Sequence, residues 1–528
     1  MRELNMEDIK QLLIKHKKLI LIWVILIFIA YGNVVRGEFV TADDIPGIVD
    51  NPMTKDLMGS LQAFHFQLIY RAILFQIFGM NSNVLHFGSI IFHIINTVLA
   101  FILLSQLFGK KTAAIATTLF ALHPVNSETV CWISAQNYLQ GAFFTLVTLN
   151  FFVLYRKSKQ LKYFVYSSIT YVIYVAGTRD AWVLVAPLLL VTIDQLFLEP
   201  KIKIKNAVYY IPFAVVAVVF FISVISAGMQ TRVSELANRY YFDPNAAPPL
   251  LNRLPFTISL TENLLLFPNK LNIYPGEFIL IQSRYEIMVI ATLLLAGLMY
   301  YLWTKNNVYP KLVITIFVAV APVFSPVQIA WLMAERYLYL GSIFFCVILA
   351  LLLEKIKNQK AFYIVISILL ILCMGRIMVR TEEWRTNKNL WLATRRDSPY
   401  SYRVYNNLGD VYMKEGNIQL AIENFKRSFE IFPDYADGMY NLGLTYMKIN
   451  DMPNAKKYME MAIRAKPTLI DGWETLGYIA LQERDYKRAE AFFMKVLELN
   501  PNSEIGQKGM NVVNAIKANP NLVPPTAK

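Results

Sequence analysis

From about Leu19 to Met378 the chain is a succession of long apolar stretches broken by short polar turns; from Arg380 onward it becomes charged, with apolar residues at helical spacing. A helix of about twenty apolar residues crosses a hydrocarbon core roughly 30 Å thick. On that measure the first pattern predicts helices over 19–36, 85–108, 112–123, 139–155, 163–178, 181–198, 206–227, 286–303, 312–328, 337–353 and 361–378. That makes about eleven transmembrane helices, the third short enough to tilt, break or re-enter. The chain therefore reads as all-α: a polytopic membrane domain over 1–379, a linker over 380–401 and a soluble domain after it.

The soluble part repeats itself. NNLGDVYMKEG, YNLGLTYMKIN and ETLGYIALQER align on Gly409, Gly443 and Gly477, each 34 residues after the last, and the period holds for Leu408, Leu442, Leu476, for Ala421, Ala455, Ala489 and for Pro433, Pro467, Pro501. This is the tetratricopeptide pattern, two antiparallel helices packed through small residues with proline ending the second. It predicts an α-solenoid over 402–517, with repeats at 402–435, 436–469 and 470–503, a capping helix at 504–517 and a disordered tail at 518–528. Such a solenoid offers a concave groove suited to extended polypeptide, or a scaffold for partner subunits.

Composition agrees with a membrane protein, since 56% of residues are hydrophobic and mean hydropathy is +0.40. The net charge of +14 does not point to nucleic acid, because much of the excess lies in short loops between apolar spans. Counting from a cytoplasmic N-terminus, the inner loops hold Lys110 and Lys111; Arg156, Lys157, Lys159 and Lys162; Lys201, Lys203 and Lys205; Lys305 and Lys311; then Lys355, Lys357 and Lys360. That is the positive-inside pattern. The basic lead, full-length apolar core and lack of a small-residue cleavage site at the N-terminus predict an uncleaved anchor. Cys131, Cys346 and Cys373 are too few and scattered for a disulfide framework.

The opposite loops carry Asp43-Asp44, His123 and Glu128 in HPVNSE, Arg179-Asp180, Glu262 and Glu335-Arg336. Ionisable groups at span ends are costly unless paired or hydrated, so acids and arginines gathered on one face predict a polar site. The plainer reading of any one pair is an interfacial residue orienting its helix. An odd span count puts the repeats on that same side. The apolar QAFHFQLIYRAILFQIFG, in the broad loop 37–84, reads as an amphipathic helix along the membrane surface beneath which a substrate resting in the bilayer could enter.

DDIPGI, GMNSNVLHFGSIIFHIIN with His86, His93 and Asn96, FALHPVNSETVCWIS, LLLFPNKLNIYP, LMAERYLYLGS and EEWRTNKNLW occur in that order before the repeats. In this ordered set the chain resembles the transmembrane and tetratricopeptide repeat containing protein O-mannosyltransferases and their prokaryotic relatives, over nearly its whole length. Two positions depart from the family: Arg179-Asp180 stands where Lys-Glu is frequent, and no Arg-Pro occurs near Ala63 to His65, which leaves one phosphate contact open, with Arg71 only a weak substitute.

The resemblance implies a GT-C fold and transfer of mannose or a similar hexose from a polyprenyl-phosphate donor in the bilayer to Ser/Thr hydroxyls of a protein or peptide held partly by the repeats. It implies no nucleic-acid partner. A hydroxyl is a poor nucleophile at neutral pH, so a carboxylate must take its proton; Asp43 is the expected base, with Asp44 fixing the acceptor or sharing charge. Arg179 and Arg336 are expected on the donor phosphate. Glu128, His123, Asp180 and Glu335 are expected on acceptor or sugar. One base and direct attack imply inversion, without the covalent intermediate of retaining glycosidases. No obligatory metal is expected, although Asp43, Asp44 and Glu128 offer hard oxygen ligands for a divalent ion. The expected setting is a prokaryotic plasma membrane with the site outside, or else an ER membrane with a lumenal site. The rival functions are a lipid-linked glycan polymerase or ligase and a non-enzymatic membrane scaffold.

Overall fold

The computed structural model describes residues 6–198, 204–226, 228, 250–274, 282–324 and 333–519, and all regular structure among them is helical. Parts of the expected spans 206–227 and 312–328, much of the loop 228–285 and the end of the tail 518–528 lie outside the described residues. The chain divides into two compact units, Met1–Ala393 and Thr394–Lys528.

In the first unit the order is α1 Met6–Lys15, α2 Lys17–Tyr31, α3 Leu57–Gln62, α4 Phe66–Phe78, α5 Ser82–Phe108, α6 Lys110–Ala121, α7 Ser127–Cys131, α8 Gln136–Ser158 and α9 Leu161–Ala176. It continues with α10 Val185–Ile193, α11 Ile211–Phe220, α12 Leu250–Leu266, α13 Gln282–Thr304, α14 Val308–Ala319, α15 Tyr339–Leu353, α16 Gln359–Glu383 and α17 Asn387–Asp397. Residues 380–401, read from sequence as a linker, thus hold the end of α16 and all of α17. Local chemistry sets the boundaries. Asn81 caps α5 by accepting from the Asn83 N–H at 2.9 Å, and Gly79 and Gly109 take the positive φ that lets the chain turn before and after it.

Among the described residues seven helical segments are long and apolar enough to cross a membrane: Lys17–Arg36, Ser82–Phe108, Ile133–Ser158, Ala181–Leu198, Tyr285–Thr304, Glu335–Leu353 and Gln359–Glu383. Phe66–Phe78, Ile211–Val224 and Val308–Ala319 are shorter apolar helices. The count of about eleven is not reached among the described residues by length and composition, because α6 and α9, expected as spans, have only 12 and 16 residues, and the expected spans 206–227 and 312–328 hold only the shorter helices Ile211–Val224 and Val308–Ala319.

The segments differ in place: 72% of the most apolar window of Glu335–Leu353 is buried against only 6% of that of Gln359–Glu383, so α15 is central and the apolar part of α16 peripheral. A polar knot crosses the centre. His93 meets the Tyr339 hydroxyl through Nδ1 at 2.7 Å and the Ala121 carbonyl through Nε2 at 3.1 Å, while Asn96 donates to the Leu139 carbonyl at 2.9 Å, joining α5, α6, α8 and α15. The carbonyl partner requires the proton on Nε2, so Nδ1 accepts from tyrosine. Much of the GSIIFHIIN motif is thereby spent on holding helices together.

The second unit is a run of helical hairpins: Tyr402–Lys414 with Ile418–Ile431, Ala436–Lys448 with Met452–Ala465, and Ile470–Gln482 with Tyr486–Leu499, followed by Glu504–Ala518. Asn417, Asp451 and Asp485, spaced 34 apart, each cap the second helix of a hairpin. The repeated glycine admits a large neighbour. A Cβ on Gly409 would lie 2.5 Å from Phe425, on Gly443 2.9 Å from Met459 and on Gly477 2.7 Å from Phe493. Phe493 is hemmed in on its other side by Gly509, at 2.5 Å from a Cβ there, so it cannot retreat. We expect Gly477→Val to destabilise the repeats by about 1–3 kcal/mol, read as protease sensitivity of residues 402–517 in the full chain. Gly443→Ala, facing the flexible end of Met459, costs less.

Candidate functional site

Three segments converge on the aspartate pair. The chain leaves the first span, and Pro46 and Gly47 then force a wide turn over Ile45–Val49. Two anchors hold the preceding strand of loop. Asn387 donates from its side chain to Glu38 at 3.0 Å and accepts from the Thr41 N–H at 2.5 Å, while the Trp391 indole donates to the Thr41 hydroxyl at 3.0 Å. The EEWRTNKNLW motif thus grips the loop that carries Asp43 and Asp44. From the other side, Ser82 at the start of α5 donates to the Gly37 carbonyl at 2.7 Å.

The two aspartates face different surroundings. Asp44 is fully buried, and both its carboxylate oxygens are occupied: Oδ1 accepts from the Ser134 N–H at 2.9 Å and the Ser134 hydroxyl at 2.5 Å, and Oδ2 from the Val40 N–H at 3.1 Å. Burial raises its pKa to about 6, against the lowering pull of these hydrogen bonds and of Arg71. Asp43 instead lines a pocket of about 350 Å³ with Pro46, Gly47, Gln67, Arg71 and Ser134.

Gln67 and Arg71 come from α4, four residues apart and so on one face. Arg71 is only 4% exposed, its one hydrogen bond among the described residues is a long one of 3.4 Å to the Ile133 carbonyl, and its Nε is buried without a partner. A buried guanidinium with unused donors on a pocket wall is built to meet an anion.

The remaining expected residues form a second polar layer. Arg336 pairs with Glu128, which also accepts from the Arg336 N–H at 3.2 Å, and its guanidinium lies 5.1 Å from the centre of the Trp132 ring. Glu335 pairs with Arg380 at 2.9 Å, and Arg380 with Glu383 at 3.1 Å. Asp180 caps the turn Ala181–Leu184 by accepting from the Trp182 N–H at 3.1 Å, and accepts from the Asn137 amide at 2.5 Å. His123 accepts from the Val125 N–H at 3.3 Å and reaches the Leu265 carbonyl at 3.1 Å, tying HPVNSE to the LLLFP segment.

The placement therefore differs from expectation for the arginines. Arg336 does not line the pocket, because Glu128 holds it. Nor does Arg179, an exposed side chain whose guanidinium is spent on the carbonyls of Ala176, Thr178 and Ala63. Glu128 lies with Arg336 and not among the pocket residues, and among the described residues no cluster of three His, Cys, Asp or Glu side chains could hold a metal ion.

Comparison with known proteins bears on both units. The family described as "TPR repeat" matches residues 404–450, and "Tetratricopeptide repeat" matches 436–469 and 470–503. Among curated proteins, Protein O-mannosyl-transferase TMTC3 of Mus musculus is 24% identical over 451 residues, 74% of this chain and 49% of that protein. The Homo sapiens TMTC3 is 25% identical over 66% of this chain and 42% of its own length. A Caenorhabditis elegans protein O-mannosyl-transferase is 24% identical over 79% of this chain and 63% of its own. The chain is similar in sequence to these TMTC proteins. The matched part spans 42% to 63% of these relatives' own lengths.

Sequence reasoning passed over Ser134, Gln67 and the clamp of Glu38, Asn387 and Trp391, and gave Arg71 only a substitute's place. The i, i+4 pair of Gln67 and Arg71 in a largely apolar helix was the available signal. Ser134 carried none, since a serine after WI in a buried segment is common in any core.

Proposed function

We propose that this chain is a membrane mannosyltransferase that moves mannose, or a similar hexose, from a polyprenyl-phosphate donor to Ser/Thr hydroxyls of a protein on the extracytoplasmic side. The observation that carries the reading is the single pocket wall shared by Asp43 and the buried Arg71. Asp43 serves as base: its carboxylate takes the proton of the acceptor hydroxyl as that oxygen bonds to the anomeric carbon. The bond from that carbon to the phosphate oxygen breaks, and the lipid phosphate leaves with the electron pair. Arg71 meets its developing charge, the electrostatic support such a leaving group needs. Attack and departure on opposite faces give inversion.

The donor's route fits α4. While Gln67 and Arg71 line the pocket, Ile73, Ile77 and Phe78 of the same helix are 40%, 64% and 55% exposed, an apolar surface suited to acyl or prenyl chains. The relatives' names supply the sugar and the protein acceptor. The repeats supply a surface for polypeptide. The basic inner loops support a cytoplasmic N-terminus.

The test is transfer by the purified protein in lipid nanodiscs, from polyprenyl-phosphate mannose to a Ser/Thr-rich peptide, read by mass spectrometry. We expect one hexose per modified hydroxyl. Arg71→Met should lower kcat/KM for the donor by about 10–100-fold, whereas Arg179→Met should change it little. Transfer only to a lipid-linked glycan, with peptide untouched, would favour the polymerase or ligase reading, and no transfer to either would favour the scaffold.

A further inference from the structure

Ser134 stands between the buried aspartate and the pocket. It belongs to the short turn Ile133–Ala135 that joins α7 to α8; its N–H and hydroxyl both donate to Asp44 Oδ1, at 2.9 Å and 2.5 Å, and the residue itself lines the pocket beside Asp43 and Arg71. A hydroxyl has one proton and two lone pairs. With its proton committed to Asp44, Ser134 shows the pocket only acceptor capacity.

We infer that Ser134 is a positioning residue that carries the charge state of Asp44 into the pocket, accepting a hydrogen bond from a backbone N–H of the acceptor peptide and so holding the neighbouring hydroxyl oxygen toward the anomeric carbon, with the one proton of that hydroxyl left to Asp43. The inference deepens the proposed transfer site and rests on that reading. Asp44 needs no contact with substrate for this. When it is ionised, it orients the Ser134 proton inward and leaves the lone pairs outward. Once it is protonated, its own O–H can donate to Ser134, whose hydroxyl then turns its proton to the pocket and competes with the acceptor as a donor.

The direction of the pH effect follows. The ionisable groups facing Asp44 are Arg71, from α4 across the pocket, and Asp43 beside it in the chain, while the segment that brings Ser134 also brings Glu128, already paired with Arg336. Burial holds the Asp44 pKa up to about 6, so the carboxylate is present above that pH and lost as pH falls through it. Acceptor-dependent transfer should fall with it.

The experiment compares wild type, Ser134→Ala, Ser134→Thr and Asp43→Asn as full-length protein in nanodiscs, with thermal unfolding recorded for each. Polyprenyl-phosphate mannose is the donor and a Ser/Thr-rich peptide the acceptor. Ser134→Ala should lower kcat/KM for the peptide by about 10-fold, the worth of one hydrogen bond to the substrate, and leave donor KM within about 2-fold. It should also lose the fall in activity near pH 6, and Ser134→Thr, which keeps the hydroxyl, should restore both. Peptide kinetics unchanged in Ser134→Ala, or a Ser134→Thr variant as impaired as Ser134→Ala, would overturn the inference. Asp43→Asn separates the two claims: if it transfers normally, the reading of the site itself fails, whereas if it is inactive and Ser134→Ala is unaffected, only the role of Ser134 falls.

Discussion

Asp43→Asn should lower kcat for transfer by about 10²–10⁴-fold, the usual worth of a general base, with donor KM nearly unchanged and the fold intact. The substitution is isosteric, and the side chain stands on a pocket wall, so the protein keeps its packing while losing the proton acceptor. The neighbouring change predicts a different phenotype. In Asp44→Asn the amide oxygen can still accept from Ser134, but the NH₂ group is turned against the Val40 N–H, which formerly donated to Oδ2 at 3.1 Å. Two donors then face each other in a fully buried site, at a cost of about 1–3 kcal/mol. Asp44→Asn should thus unfold at a lower temperature than Asp43→Asn. Equal loss of stability in both variants with transfer intact in Asp43→Asn would remove Asp43 as base. Steady-state kinetics and thermal unfolding of the same preparations decide between these outcomes.

The contrast between the two aspartates also shows what the sequence could convey. DDIPGI marks a carboxylate pair after an apolar span, and the turn follows from Pro46 and Gly47. Which carboxylate faces the pocket depends on a contact 90 residues away, between Asp44 and Ser134, which no local pattern encodes. The same holds for the arginines. Arg179 and Arg336 lie at span ends where charge is expected to matter, and Arg336 does converge with Glu128 and Trp132, yet long-range pairing consumes its charge. Arg71 was easy to undervalue because α4 reads as an apolar surface helix, and only its packing shows that the helix turns Gln67 and Arg71 inward. The repeats were legible throughout, because a 34-residue period encodes contacts between neighbours and almost nothing beyond them.

Arg380→Met should be the most destabilising single substitution near the site. Arg380 is fully buried near the end of α16, bonded through one nitrogen to Glu335 at 2.9 Å and through the other to Glu383 at 3.1 Å, with its guanidinium 5.3 Å from the Trp384 ring. Trp384 in turn stacks on Trp132, against which Arg336 also lies, so both ion pairs share one aromatic wall. Removing the cation leaves Glu335 buried in the chain beside Arg336, whose own charge is committed to Glu128. Breaking a buried pair in this way costs about 3–5 kcal/mol, chiefly the penalty of the carboxylate left behind. The methionine fills much of the volume, so packing loss contributes less. That assignment is testable by neutralising the orphan: Arg380→Met with Glu335→Gln should recover part of the loss, because the two changes act on one interaction and are not additive. Thermal unfolding of the full-length protein, followed by tryptophan fluorescence, reads both variants. A double variant as unstable as the sum of the single ones would mean that Arg380 acts through shape and its stacking on Trp384, not through charge.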